Sequence, residues 1–287
     1  MQTEAPLDTV LVGGDLVVNR IGFGAMRLTD WRSTPDRDQA VALLRRAVEL
    51  GVNLIDTADS YGLGLNEELI AAALHPYAES LVIATKAGQS RPSESEWVPL
   101  GRPEYLRQQV ELSLRRLRVD TIELFQLHRV DPQVPLAEQV GALADLRAQG
   151  QIRHIGLSEV TIDQIEEAQA TAPIVSVQNA YNIARRRHDR VVDYCTDHHL
   201  AFLPWMPINY GKLADARSTV TSIAAEVGCE PAKVALAWLL ARSPVMIPIP
   251  GTTSMDHLVQ NWEAGSIALT DEQMTRLSQD FGADTVG

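Results

Sequence analysis

The feature of this chain that most constrains its fold is a regular alternation of short apolar runs with longer segments of helical periodicity. We predict eight strands, at IGFGA (21–25), VNLID (52–56), SLVIAT (80–85), TIELFQLH (121–128), IRHIGLS (152–158), IVSVQN (174–179), AFLPW (201–205) and VMIPI (245–249). Helical periodicity is strongest over 37–51, 103–117, 135–150, 161–170, 188–199, 231–242 and 253–262. No linker rich in Pro, Gly or Ser interrupts the series, which indicates a single domain over 1–287.

Eight strand–helix alternations predict a closed α/β barrel of the (β/α)₈ type, which commonly needs about 250 residues. The run TVLVGGDLVV (9–18), with its Gly-Gly-Asp turn, predicts a β-hairpin in front of the barrel. The main alternative is a doubly wound open sheet, which usually carries a glycine-rich fingerprint after its first strand. GFGAMR (22–27) does not match that G-x-G-x-x-G pattern, because Arg27 occupies the place of the third glycine.

Composition and charge disfavour several classes of partner. A net charge of −12 disfavours nucleic acid, and we interpret the basic cluster ARRRHDR (184–190) as a solvated helix start. No apolar run approaches the roughly 18 residues of a membrane helix, and no basic-then-apolar leader is seen, so we expect a cytoplasmic protein. Cys195 and Cys229 each lack a nearby cysteine and are interpreted as packing residues, with no metal site. No heptad or large apolar helix face demands a partner subunit, and we expect a monomer.

Enzymes with this barrel place their chemistry at the carboxyl ends of the strands, and those positions are unusually polar here. They hold Asp56 with Tyr61, Lys86, His128, Ser158 with Glu159, and Gln178 with Asn179. Taken singly, each has a structural alternative: Asp56 can cap the next segment, Tyr61 can be a rim aromatic, Lys86 a strand-end lysine and His128 a hydrogen-bonded core residue. Lysine occurs only as Lys86, Lys212 and Lys233 among 25 basic residues, so Lys86 indicates a specific need for an ammonium group. An acid, a phenol, an ammonium and an imidazole at one barrel mouth together favour a catalytic site.

The joint chemistry of these four groups suits proton transfer to a carbonyl oxygen. A phenol has a pKa near 10, and a neighbouring cation such as Lys86 is expected to lower it. Asp56 would hold Lys86 in place and His128 would orient the substrate oxygen. No nucleophile is paired with a base, which disfavours acyl transfer. Because no side chain carries hydride, reduction of a carbonyl implies a nicotinamide cofactor.

The sequence also resembles the aldo-keto reductase family. The motifs GFGAM, LGVNLIDTADSYG, ATKAG, LFQLHR, RHIGLSEV, VQNAYN and IPIPGTTSMDHLVQN occur in that family's order over essentially the whole chain. The resemblance implies a catalytic tetrad of Asp56, Tyr61, Lys86 and His128, with Tyr61 as the general acid. GLSEV, VQNAYNIARR and KVALAWLLARSP are most similar to a bacterial branch that includes pyridoxal reductases; neighbouring members reduce sugar-derived, quinone or aryl aldehydes.

The resemblance further implies how NADPH would be held. Ser158 and Gln178 match the side chains that bind the nicotinamide carboxamide, Trp205 matches the aromatic residue that stacks on the ring, and PGTTSMDHLVQN (250–261) matches the segment for pyrophosphate and adenosine, although an ordinary capped helix start would look the same. The implied cofactor residues are Gly24, Ala25, Met26, Asp56, Ser158, Gln178, Trp205, Pro207, Ile208, Gly211, Pro250, Gly251, Thr252, Thr253, Ser254, His257, Gln260 and Asn261. Two positions depart from the pattern: Glu159 replaces the usual Asn, and His257 stands where many members carry an Arg for the 2′-phosphate. NADPH is expected in preference to NADH.

Three further interpretations concern the substrate and the class of protein. Trp31 and Trp97 are predicted to form a pocket for a small carbonyl substrate, with simple packing on the barrel as the alternative. A cofactor-sensing accessory subunit on the same fold is the second hypothesis for function. A metal-dependent barrel hydrolase is disfavoured, because only His128 is well placed as a ligand and His198-His199 falls at a predicted helix end.

Overall fold

The structure, a computed structural model, describes residues 8–30, 35–208 and 219–281. The strands are β1 (Thr9–Val12), β2 (Leu16–Asn19), β3 (Phe23–Gly24), β4 (Leu54–Asp56), β5 (Val82–Ala87), β6 (Gln89–Ser90), β7 (Val98–Pro99), β8 (Ile122–Leu127), β9 (Ile152–Ser158), β10 (Ile174–Gln178) and β11 (Ala201–Phe202). The helices are α1 (Arg37–Leu50), α2 (Leu65–Leu74), α3 (Pro103–Leu117), α4 (Leu136–Ala148), α5 (Ile162–Gln169), α6 (Asp189–Asp197), α7 (Thr219–Val227), α8 (Pro231–Arg242), α9 (Met255–Glu263) and α10 (Asp271–Asp280).

Seven of the strands form one parallel sheet in the order β11-β10-β9-β8-β5-β4-β3. The predicted eighth strand, 245–249, is reduced to a single bridge between Phe202 and Met246. Pro248 within this segment and Pro250 directly after it have no N–H to donate, so a regular ladder cannot continue there. The segment still joins the two edges of the sheet, because Ile247 donates to Phe202 O at 2.8 Å and Gly22 donates to Pro248 O at 3.0 Å. The predicted (β/α)₈ barrel is confirmed.

The predicted N-terminal hairpin forms from β1 and β2, paired antiparallel from Thr9–Asn19 to Val12–Leu16. Its inward side chains pack with residues from the start of the barrel strands, in a cluster that holds Val10, Val12, Leu16, Val18, Leu54, Val82, Leu124, Ala201, Leu203, Ile247 and Ile249. In the hairpin turn, Asp15 Oδ1 lies 2.6 Å from His154 Nε2 of β9. The hairpin therefore closes the amino-terminal end of the barrel and leaves the carboxyl ends of the strands for a site.

The helices cover the outside of the sheet, and their order agrees with most of the predicted periodic segments. Three helices, α2, α7 and α10, were not predicted. In α2 the polar residues Asn66 and Glu67 are as buried as the apolar ones, so the polar–apolar periodicity that marks a surface helix is missing. The histidine pair His198-His199 lies at the end of α6, as predicted, and His198 is the residue that caps the helix. Within the described ranges, no helix combines the length and apolar character needed to cross a membrane.

Candidate active site

The barrel brings the four predicted catalytic side chains together at one mouth. Asp56 is the last residue of β4, Lys86 lies near the end of β5 and His128 directly follows β8. Lys86 Nζ lies 2.7 Å from Asp56 Oδ1 and 3.4 Å from the phenol oxygen of Tyr61. The rings of Tyr61 and His128 meet edge to face, with centroids 5.8 Å apart.

The position of Tyr61 is set by the loop that follows β4. Thr57 and Asp59 donate to Ala84 O and Lys86 O, at 2.8 and 3.0 Å, so this loop continues along β5. Tyr61 then begins a short 3₁₀ turn that ends at Gly64, which has a φ of 94°. The positive φ favours glycine at this position, and a Cβ there would also displace the side chain of Arg116, whose Cδ it would approach to 2.7 Å.

A hydrogen-bond network holds the buried Asp56–Lys86 ion pair. The second carboxylate oxygen of Asp56 accepts from the side-chain amides of Gln178 at 2.8 Å and Gln126 at 3.2 Å. Lys86 also donates to Thr57 O at 2.7 Å. Each polar group of the pair is therefore satisfied without water, which offsets the cost of burying two charges. Gln126 was missed in the sequence, although its signal is there: it is a polar residue inside the otherwise apolar end of β8.

Burial controls the acidity of Tyr61. Desolvation raises the pKa of its phenol above the usual 10.0, and this effect outweighs Lys86, which acts in the opposite direction. The expectation of a lowered pKa was therefore wrong for the free protein, because the sequence shows the neighbouring charge but not the loss of water. Burial lowers the pKa of Lys86, but Asp56 and Tyr61 outweigh it and the net pKa is raised. The free site thus holds a protonated phenol beside an ammonium.

His128 is held as a neutral imidazole. Burial, together with the charges of Lys86 and Arg129, keeps the pKa of His128 well below its usual 6.5. Its Nδ1 lies 3.4 Å from the hydroxyl oxygen of Ser60. A hydroxyl that donates to Nδ1 leaves the N–H on Nε2, where it can donate to a substrate oxygen.

The residues predicted for the nicotinamide lie at the same mouth. Ser158 ends β9 and Gln178 ends β10, while Trp205 forms a parallel bridge with Ala180 just beyond β10. Glu159, which replaces the family's Asn, turns its carboxylate to Trp205: Oε1 accepts from the indole N–H at 2.7 Å. The same oxygen accepts from Ala180 N, and Oε2 pairs with Arg187 at 2.7 Å. Glu159 therefore anchors the predicted stacking residue.

The segment predicted for the phosphates precedes α9. Ser254 caps this helix, with its hydroxyl accepting from His257 N at 3.3 Å, and Thr252 Oγ1 accepts from Ser254 N at 3.1 Å. The segment packs on the β3 end so tightly that a Cβ at Gly251 would lie 2.6 Å from Gly24 O. His257 is exposed.

The other predicted cofactor residues fall into three places. Gly24 ends β3, Ala25 donates to Asp56 O at 2.9 Å, and Met26 begins a short 3₁₀ helix. On the segment after β11, Pro207 is buried and Ile208 is half-buried; in the α9 region Pro250 and Asn261 are buried, Thr253 is exposed and Gln260 is half-buried. Gly211 and Trp31 lie outside the described residues.

Trp97, the other predicted pocket residue, stands over the catalytic groups. It belongs to the hairpin of β6 and β7, and its ring centroid lies 6.4 Å from that of Tyr61 and 6.2 Å from that of His128. The guanidinium of Arg91 lies over the Trp97 ring, with Cζ 3.6 Å from the ring centroid. With 37% of its surface exposed, Trp97 forms a wall between the catalytic groups and solvent. In the part of the chain that the structure describes, no three His, Cys, Asp or Glu side chains converge as a metal-binding group.

Both the sequence and the fold of this chain match known proteins. The sequence model of the aldo/keto reductase family matches residues 20–279. The chain is 46% identical over 270 residues to an uncharacterized oxidoreductase of Schizosaccharomyces pombe, covering 93% of this chain and 88% of that protein. It is 40% identical over 273 residues to pyridoxine 4-dehydrogenase of Escherichia coli, covering 92% and 95%. An aldo-keto reductase from Klebsiella pneumoniae, solved in complex with NADPH, has a TM-score of 0.84 at 28% identity, covering 98% of this chain and 97% of that one.

This chain belongs to the aldo/keto reductase family, a family of oxidoreductases. The predicted resemblance is confirmed, and the Escherichia coli relative agrees with the predicted bacterial branch.

Proposed function

We propose that this protein reduces an aldehyde or ketone to the alcohol with NADPH, and that Tyr61 donates the proton to the carbonyl oxygen. The observation that carries the proposal is the phenol of Tyr61, 3.4 Å from the ammonium of a fully buried Lys86 that Asp56 holds in place. Such a phenol can protonate a developing alkoxide, because the ammonium stabilises the phenolate that remains.

The raised pKa of Tyr61 suits a general acid for reduction. The phenol keeps its proton in the free site, and it gives the proton up only when the substrate oxygen becomes an alkoxide, which is the stronger base. His128 donates from Nε2 to the same substrate oxygen and sets its direction. When bound, the nicotinamide ring supplies the hydride.

The donor groups at the mouth fit a nicotinamide nucleotide. Ser158 offers a hydroxyl for the carboxamide, and Gln178 offers its amide oxygen, since its amide nitrogen already donates to Asp56 and Gln126. The indole of Trp205 offers a flat apolar face for the ring. Thr252 and the first turn of α9 offer a hydroxyl and backbone N–H groups for phosphate. NADPH is proposed over NADH because His257 can contact a 2′-phosphate and because the Klebsiella pneumoniae neighbour was solved with NADPH.

The test is consumption of NADPH and of NADH with pyridoxal, an aryl aldehyde, a quinone and a sugar aldehyde. Tyr61→Phe removes only the phenol oxygen, and Tyr194→Phe, on the outer helix α6, is the matched control. Turnover that is lost in Tyr61→Phe and kept in Tyr194→Phe, with NADPH bound equally by all three proteins, supports the proposal. Equal turnover in Tyr61→Phe would rule out the mechanism. NADPH binding without turnover of any carbonyl in the wild type would favour an accessory subunit instead.

A further inference from the structure

Arg129 immediately follows His128 and lies at the same mouth. Its Nη1 donates to Ser158 Oγ at 3.1 Å and to the carbonyl oxygen of His128. Its Cζ lies 6.0 Å from the ring centroid of Trp205. The guanidinium is therefore held by His128 and Ser158 and lies near the indole of Trp205, which we propose stacks on the cofactor.

No carboxylate of the described residues forms an ion pair with Arg129. Two other partly buried arginines have carboxylate partners: Arg116 pairs with Glu67 at 2.6 Å, and Arg242 pairs with Asp193 at 2.6 Å. Arg20 has no ion pair, but its Nη2 donates to two backbone carbonyls, Leu240 O and Ser243 O. Burial lowers the pKa of Arg129, but an arginine stays charged at any physiological pH. Arg129 is thus a partly desolvated cation that has no ion-pair contact among the described residues, although the charge of Glu159 acts on it and opposes the lowering of its pKa. An anionic ligand in contact with the guanidinium would offset its remaining desolvation cost.

The other charges at the mouth already have partners. Lys86 is neutralised by Asp56 at 2.7 Å, and Glu159 is neutralised by Arg187 at 2.7 Å while it also accepts from Trp205. Glu159 also acts on Arg129, but no carboxylate of the described residues contacts this guanidinium, which lies beside the reacting groups. Its Nε and Nη2 make no hydrogen bond within the described part of the chain, so two donors remain for a ligand.

We propose that Arg129 binds an anionic group of the substrate, so that the enzyme selects aldehydes or ketones that carry a carboxylate or a phosphate. This inference rests on the proposed function, because the reacting carbonyl must sit at Tyr61 and His128. A guanidinium presents parallel N–H donors to two oxygens of one anion, and this geometry gives direction as well as affinity. The anion would hold the substrate so that its carbonyl end points to the phenol.

The test compares substrates that differ only in charge. One pair is 4-carboxybenzaldehyde and its methyl ester, and the other is glyceraldehyde 3-phosphate and glyceraldehyde. Arg129→Gln removes the charge and Arg129→Lys keeps it without the planar fork. Arg185→Gln, which removes an exposed arginine from the loop after β10, tests whether any positive charge near the mouth is sufficient.

The proposal predicts that the wild type prefers the charged member of at least one pair by about 10-fold or more in kcat/KM. Arg129→Gln is expected to lose about 10- to 100-fold on that charged substrate, mainly through KM, and less than about 3-fold on the neutral one. Arg129→Lys should fall between, and Arg185→Gln should resemble the wild type. No preference in the wild type, equal losses on both members of a pair, or a loss confined to NADPH affinity would each overturn the proposal.

A binding measurement separates this proposal from the proposed reaction. Benzoate and benzamide are titrated into the NADP⁺-loaded wild type and the Arg129 variants by calorimetry. Benzoate binding that weakens about 10-fold or more in Arg129→Gln, with benzamide unaffected, supports the anion site even when no carbonyl is reduced. Benzoate affinity that is the same in the wild type and the Arg129 variants would contradict the anion site. If carbonyl substrates are still turned over, the proposed function is unaffected by that result.

Discussion

Nζ of Lys86 and Oδ1 of Asp56 lie 2.7 Å apart, and their side chains are 0% and 3% exposed. Two charges removed from water in this way are stable only as a pair with their remaining hydrogen bonds satisfied. Gln126 and Gln178 supply those bonds to Asp56, and Thr57 O supplies one to Lys86. The pair thus fixes an ammonium under Tyr61, whose phenol is the member of the network that we propose acts on the substrate.

Breaking this pair is expected to destabilise the fold. Asp56→Asn leaves Lys86 buried without a counter-charge, and we expect a loss of about 3–5 kcal/mol in the free energy of unfolding. Urea denaturation measures it. The double variant Asp56→Asn/Lys86→Met should recover part of that loss, because no uncompensated charge remains. As a control, Asp145→Asn removes the exposed partner of Arg107 and should cost less than about 1 kcal/mol. Equal losses from Asp56→Asn and Asp145→Asn would contradict the account.

The acidities at the site predict a flat pH profile for reduction at saturating NADPH. Burial holds the pKa of Tyr61 above 10.0 and that of His128 well below 6.5. Neither group changes its protonation between about pH 6.5 and 9, but the neighbouring Asp59 has a pKa of about 7. The rate of hydride transfer in a single turnover should therefore be constant over that range in an Asp59→Asn background, in which this carboxyl group is absent. An inflection in this window that disappears in His128→Gln would show that the histidine titrates and is not held neutral.

Asp59 should make the stability of the protein depend on pH. Burial and the charge of Glu67 raise the pKa of Asp59 from 3.8 to about 7, and its Oδ1 has no hydrogen-bond partner. The folded state therefore binds the proton more tightly than the unfolded chain. This contribution to stability is complete below pH 3.8 and is lost progressively as the pH rises to about 7.

Asp59→Asn removes this titration. Relative to the wild type, the variant is expected to gain stability between pH 5 and 8, on the order of a few kcal/mol. Urea denaturation of both proteins at pH 5 and pH 8 gives the free energy of unfolding of the variant minus that of the wild type. The contributions of the other carboxyl groups are common to both proteins and cancel in this difference. The same difference at both pH values would contradict the raised pKa.

Glu159 is expected to matter through Trp205. Glu159→Ala removes the acceptor of the Trp205 indole N–H and of Ala180 N, and we expect the dissociation constant for NADPH to rise about 10-fold as the indole loosens. Arg187→Gln is the matched control, since it removes only the half-exposed partner of the same carboxylate and should change the constant less than about 3-fold. Fluorescence titration measures both. NADPH bound unchanged by Glu159→Ala would show that Trp205 needs no anchor.

The position of the site was predictable because strand ends in a barrel meet at one mouth. Asp56, Lys86 and His128 each follow or end an apolar run, and the closed sheet brings them together. Gln126 and Arg129 were overlooked. The polar position of Gln126 in the apolar end of β8 is visible in the sequence, but the sequence does not show what its amide contacts, and an Arg beside a His carries no functional pattern of its own. Gln126 contacts Asp56, which is 70 positions away in the chain, and Arg129 contacts Ser158, which is 29 positions away. Their importance comes from these contacts.

Two other features depended on tertiary packing. The direction of the pKa shift of Tyr61 follows from burial, which the order of residues does not reveal. The eighth strand of the barrel is reduced to a bridge, because the hydrogen bonds that close the sheet use only Val245 O, Ile247 N and Pro248 O. The apolar pattern of 245–249 predicts the place of this segment but not the number of its hydrogen bonds.

The most direct test of the central claim is a single-turnover experiment on Tyr61→Phe. The variant with bound NADPH is mixed rapidly with an aldehyde that the wild type reduces, and oxidation of the NADPH is recorded. The account predicts a rate of hydride transfer lower by about 100- to 10,000-fold, with an unchanged dissociation constant for NADPH, because only the proton donor has been removed. A wild-type rate in the variant would show that the proton comes from another group, and the assignment of Tyr61 as general acid would be wrong.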